Sequence, residues 1–158
     1  MKQRILENLT TTERLTLLEQ IFAPRAGVRL EHSSCRLSDM EWLFDFNVVN
    51  YVECRYTYDN ANDLFGELRN LLMPVQGVHP NYGLLCFIHI ILPDGNSDNE
   101  ALSRDFLRFI DDCNSLDMVF DYIFSTSSHQ DYITLRVVFV DSEKLDKIRV
   151  WVTKDCRI

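Results

Sequence analysis

The chain has no long hydrophobic run. Its most apolar stretch, Leu84 to Leu92, is nine residues with His89 inside it, far short of the roughly 20 that cross a bilayer as a helix. Nor does a signal core follow Lys2 and Arg4, because Glu7, Asn8 and a threonine run come next. Both absences predict a soluble, untargeted protein with no membrane partner. Positive charge is scarce as well: 16 Lys and Arg stand against 24 Asp and Glu, for a net charge of −8. Such a balance repels phosphate backbones, so no nucleic-acid partner is expected. The cysteines, at positions 35, 54, 86, 113 and 156, are 5 in number and show no C-x-x-C spacing. They read as buried, reduced thiols, which predicts a cytoplasmic protein rather than a disulfide framework. H-E-x-x-H, G-x-S-x-G, a Walker loop and G-x-G-x-x-G are all missing, and no cofactor is expected. With no repeat, low-complexity tract or linker, residues 1–158 read as a single domain.

What is present is alternation. From Trp42 to Tyr58, the residues Trp42, Phe44, Phe46, Val48, Val52, Cys54, Tyr56 and Tyr58 share one parity, broken by Asn50. Asp45, Asn47, Glu53, Arg55 and Thr57 fall on the other. A period of two places successive side chains on opposite faces of a strand. The segment therefore predicts one long bent strand, or a hairpin turning at Asn47 to Asn50, with its aromatic face inward. Leu84 to Leu92 is apolar on both parities, as a central strand covered on both faces would be.

Helix signals surround these strands. Thr10 and Glu13 form a capping box ahead of Leu15, Leu17, Leu18, Ile21 and Phe22, and a turn of helix from Lys2 to Asn8 could precede it. Asp59 or Asn60 would cap a second helix through Leu64, Phe65, Leu68, Leu71 and Leu72, stopped by Pro74. Gly66 within that helix predicts close packing against a neighbour. Ser97 and Glu100 repeat the capping-box spacing before a third helix carrying Leu102, Phe106, Phe109, Ile110 and Cys113. Further strands are expected over Val28 to Leu37, Met118 to Phe124, Tyr132 to Val140 and Ile148 to Val152, with Asp141 to Lys147 connecting the last two. The sum is an α+β domain with a mixed or mostly antiparallel sheet of about five to six strands and about three helices.

Asp45, Glu53 and Arg55 share a parity and are the leading catalytic candidates, since two carboxylates on one strand face can gather a divalent metal. The order of helix, strands and acids over Thr10 to Leu92 resembles the restriction-endonuclease type of metal-dependent nuclease. That resemblance implies a phosphoesterase using Asp45 and Glu53. The family's E-x-K-like pair reads Glu53-Cys54-Arg55 here, with arginine in the place of lysine. On a straight strand of about 3.3 Å per residue Asp45 and Glu53 stand roughly 26 Å apart, so a shared metal requires the hairpin. The simpler alternative is a solvated sheet face with a Glu53 to Arg55 neighbour pair.

Asp94, Asn96, Asp98 and Asp105 occupy positions one, three, five and twelve of a calcium-loop spacing. Asn99 stands at the glycine position and Asp105 at the glutamate position, and a turn leading into an N-capped helix accounts for the same residues. His89 follows Cys86 by three, as Cys35 follows His32. A strand turns such pairs to opposite faces, which favours a hydrogen-bonded core histidine at 89 over a thiolate pair. His79 and His129 fall in turn-like surroundings.

Eight acids (Asp94, Asp98, Glu100, Asp105, Asp111, Asp112, Asp117, Asp121) accompany two bases, Arg104 and Arg108, between positions 94 and 121. As a solvated helix face they would form weak pairs. As a surface, Asp105, Asp111, Asp112, Asp117 and Asp121 would steer a basic protein. The leading expectation is a non-enzymatic protein-binding module of inhibitor, immunity or chaperone type that presents this acidic side to a partner. The alternatives are the metal-dependent phosphoesterase and a structural subunit of a larger assembly, and a homo-oligomer is compatible with a free sheet edge.

Overall fold

The computed structural model describes residues 3–58, 64–72, 86–115 and 121–140. The strands are β1 (Gln3–Leu6), β2 (Val28–Ser33), β3 (Asn50–Tyr56), β4 (Cys86–Pro93), β5 (Asp121–Ser127) and β6 (Ile133–Phe139). The helices are α1 (Thr11–Phe22), a short α2 (Trp42–Asp45) after a 3-10 turn at Leu37–Met40, α3 (Leu64–Leu72) and α4 (Asn99–Ser115). The strands form one six-stranded sheet in the order β1-β3-β6-β4-β5-β2. Among the described strands only β4 and β5 pair in parallel, and α4 lies between them in sequence, as a parallel crossover requires. The protein is a single-sheet α+β domain.

Strand β4 is central, antiparallel to β6 and parallel to β5. Its double-sided apolarity is explained by two cores. On one face Val52, Cys54, Tyr56, Ile88, Ile90, Leu92 and Leu135 pack with α3 and α4 through Leu68, Phe106 and Phe109. On the other, Tyr51, Phe87, Ile123 and Val138 pack with Leu17, Leu18 and Ile21 of α1 and with Met40, Leu43 and Val49. A helix or a folded segment thus covers each side of the sheet.

The expected capping box is present: Thr10 Oγ1 accepts from Glu13 N at 3.1 Å, and Glu13 Oε1 accepts from Thr10 N at 3.0 Å. Leu15 is not on the buried face; it is 56% exposed, and Arg14 is buried next to it. The turn of helix considered for Lys2 to Asn8 is instead strand β1, paired antiparallel to β3 with Ile5 opposite Val52. Helix α4 begins at Asn99 rather than after a Ser97 cap. Asn96 Oδ1 accepts from Asp98 N at 2.9 Å, forming the turn that leads into the helix. The expected caps at Asp59 and Asn60, the stop at Pro74 and the segments 141–147 and 148–152 lie outside the described residues.

The largest correction concerns Trp42 to Tyr58. Only Asn50–Tyr56 is strand, and there the expected parity holds, with Val52, Cys54 and Tyr56 buried under α3 and α4. Before it the chain is neither a bent strand nor a hairpin arm, because Trp42–Asp45 is helical. The physical reason is helical spacing: Met40 and Leu43, three apart and so on opposite parities of a strand, are both fully buried on the α1 side, as a helical turn allows. Phe44, Phe46 and Val48 are left facing outward.

Gly66 and Cys54 also depart from expectation. A methyl group in place of the Gly66 side-chain hydrogen would meet no atom within 4 Å, so this glycine does not mark a close approach. Gly66→Ala should raise stability by about 0.5–1 kcal/mol through helix propensity alone; a urea midpoint that falls instead would contradict the open geometry. Cys54, expected as a reduced thiol, is disulfide-bonded, whereas Cys35 is free and buried.

Candidate functional site

The segment from Leu37 to Val48 is shaped by one side chain that lies outside it. Arg14 projects from α1 into the protein, where its Nε donates to Leu9 O at 2.8 Å. One terminal nitrogen donates to Leu43 O and to Phe46 O, each at 2.7 Å. The other donates to Asn47 O at 3.2 Å and Asn8 Oδ1 at 3.4 Å. Carbonyls at a helix C-terminus have no partner within the helix, and the planar guanidinium offers five donors in a fixed fork. Arg14 thereby fastens the end of α2 and the following loop to α1. No sequence signal marked it, because its partners in this segment lie 29 to 33 residues away.

This fastened segment divides its apolar residues sharply. Met40 and Leu43, with Val49 just beyond, are fully buried and Trp42 is half-buried, while Leu37 is 54% exposed, Phe44 41%, Phe46 36% and Val48 47%. Leu18, Leu37, Ser38, Met40, Glu41 and Phe44 line an open cleft of about 500 Å³. Asp39, Glu41 and Asp45 are exposed among them, and among the described residues none of the three makes an ion pair. The charge of Asp39 is felt nearby. The Asp121 carboxyl is raised first by burial and then by Asp39. Burial pushes the Cys35 thiol up to about 11, and Asp121 and Asp39 add to the rise.

The catalytic candidates separate. Asp45 closes α2 at the surface. Glu53 sits within β3, where its Oε2 accepts from Tyr51 Oη at 2.5 Å and lies 4.0 Å from Arg136 Nε. Arg55 places its guanidinium 4.2 Å from the centre of the Tyr132 ring, a cation–π contact. Asp45 and Glu53 share no hydrogen-bond or ion-pair partner among the described residues, and no cluster of three His, Cys, Asp or Glu suited to a metal occurs there.

Glu53 belongs to a polar row that crosses the sheet. Arg136 of β6 pairs in register with Glu53 on one side and His89 on the other. His89 is buried as expected of a core histidine, with Nε2 3.0 Å from Ser125 Oγ. Burial, followed by the Arg136 charge, pushes its pKa down to about 3, which keeps the ring neutral. Among the described residues, His89 Nδ1 and Arg136 Nε are buried without a hydrogen-bond partner.

The calcium-spaced residues are engaged in the turn and its surroundings. Asp94 lies 3.9 Å from Arg29, Asn96 holds the Asp98 amide, and Asp105 lies 3.9 Å from Arg108. The described acids expected to bind a partner fall on α4 and at the start of β5. Asp112 lies 3.3 Å from Arg69 of α3, so with Asp105 it lines a groove between α3 and α4 that also holds Arg69 and Arg108. Asp111 is exposed on α4, while Asp121 begins β5 close to Asp39. Asp117 lies outside the described residues.

No family model matches the chain, and neither a curated protein nor a solved structure does. No helix among the described residues is long and apolar enough to cross a membrane.

Proposed function

We propose that this protein is a non-enzymatic protein-binding module whose docking surface is the exposed apolar segment from Leu37 to Val48, rather than the acidic side of α4. One observation carries the reading: Leu37, Phe44, Phe46 and Val48 stay exposed on a segment where Met40 and Leu43 are fully buried and Trp42 is half-buried. Contiguous exposed apolar surface marks interaction sites in soluble proteins. Arg14 adds a second support, because a loop tied by several hydrogen bonds loses little conformational freedom on binding. The paired arginines of the α3–α4 groove weaken the case for α4, since Arg69 and Arg108 offset part of its charge.

The cysteine chemistry adjusts the setting. A disulfide at Cys54 suits an oxidising compartment better than the cytosol, and the docking surface works in either.

The test is photo-crosslinking from position 44, followed by binding measurements with the identified partner in purified form. Phe44→Ser and Leu37→Ser should leave stability within about 0.5 kcal/mol, as exposed positions do, yet weaken that complex by about tenfold or more, as loss of an apolar anchor does. Unchanged affinity in both variants would overturn the proposal.

A further inference from the structure

Resting on the docking surface just described, we infer that its partner is a basic amphipathic segment, with an apolar stripe for the cleft and Lys or Arg along its flanks. The stripe answers Leu18, Leu37, Met40 and Phe44, which line the cleft. The flanking charge answers Asp39, Glu41 and Asp45, which stand among these apolar residues without ion pairs among the described residues. No Lys, Arg or His occurs from Leu37 to Asn50. The nearest base along the chain is Arg36, just before the 3-10 turn, whose backbone N donates to Asp39 Oδ2 at 2.8 Å. Asp121 lies near enough for Asp39 to raise its carboxyl, so a fourth acid deepens the same negative field.

Charge also excludes two other occupants. An anionic bilayer would meet Asp39, Glu41 and Asp45 at its surface and be repelled. A second copy docking through the same face about a two-fold axis would set these acids against themselves, in a chain already carrying −8. A cationic amphipathic helix meets neither objection, and helix-in-groove docking reads such anchors at three- and four-residue spacing.

The experiment titrates the full chain with three synthetic peptides of one helical Leu pattern, whose polar positions are Lys, Gln or Glu, using anisotropy of a labelled peptide. The Lys peptide should bind about tenfold or more tighter than the Gln peptide, a gap that closes as salt is raised, and the Glu peptide should not bind. Combining Asp39→Lys, Glu41→Lys and Asp45→Lys should abolish the preference for Lys. A matched control on α4 and its approach, Asp98→Lys with Glu100→Lys and Asp111→Lys, should change affinity less than about twofold, since those charges lie across the sheet and are screened. Equal binding of Lys and Gln peptides, or equal loss in the control, overturns the basic partner and leaves the apolar surface standing. Lys-peptide binding unaffected by Phe44→Ser with Leu37→Ser overturns the surface itself. Binding to phosphatidylserine vesicles, or a concentration-dependent dimer in sedimentation that Phe44→Ser dissolves, assigns the face to a bilayer or a second copy and overturns the inference.

Discussion

Replacing Arg14 with alanine should destabilise the protein by about 3 kcal/mol, because each buried acceptor left unpaired costs about 1–3 kcal/mol. The carbonyls of Leu9 and Leu43 accept from Arg14 in buried surroundings, and those of Phe46 and Asn47 in partly buried ones. Alanine removes every donor at once while leaving each carbonyl in place. Arg14→Lys should recover only part of the loss, since an ammonium carries three donors on one atom and cannot span acceptors on both sides of the fork. Urea unfolding gives the free energy. Hydrogen exchange gives the location, with the amides around Leu43 to Asn47 losing protection before those of β4. A loss below about 1 kcal/mol for Arg14→Ala, within the ordinary range for a solvated side chain, would show that the clamp does not hold the segment.

Acidification should be the second large effect. His89 has a folded-state pKa near 3 against an ordinary 6.5, chiefly through burial and secondarily through Arg136. The unfolded chain therefore binds a proton between those values that the folded chain refuses. The stability tied to a neutral His89 is fully present above about pH 6.5 and drains away as pH falls toward 3. At about 1.4 kcal/mol per unit, the whole window amounts to about 4–5 kcal/mol. His89→Gln keeps a side chain able to bond Ser125 and removes the titration, so its stability should fall far less over the same range. Parallel curves for wild type and His89→Gln would show that the ring charges without penalty, and that the polar row from Glu53 through Arg136 to Ser125 is open to water.

Much of this fold was legible because it is locally encoded. The Thr10–Glu13 capping box, the two-sided apolarity of Leu84 to Leu92 and the parity of Val52, Cys54 and Tyr56 each report one element without help from elsewhere. Strand β1 was not legible, since its four residues gain their conformation from pairing with β3 rather than from any period of their own. In the stretch from Trp42 to Val48, exposed aromatics imitate a buried strand face. The contrary signal was available in Met40 and Leu43 at helical spacing, with Val49 following, but Leu43 and Val49 lay on the parity that alternation treats as polar. The docking surface was hidden by the same error: Phe44, Phe46 and Val48 read as core when they are surface. The role of Arg14 could not be read at all, because a charge on an amphipathic helix looks solvated until its distant carbonyl partners are placed.

The most direct test of this account is hydroxyl-radical footprinting of the native chain with residue-level readout. Leu37, Phe44 and Phe46 should label heavily while Met40 and Leu43, though more reactive or equally apolar, stay protected, in keeping with their contrasting exposures. Protection of Phe44 and Phe46 together with labelling of Met40 and Leu43 would mean that the segment lies with its aromatic side inward, and there would be no docking surface to explain.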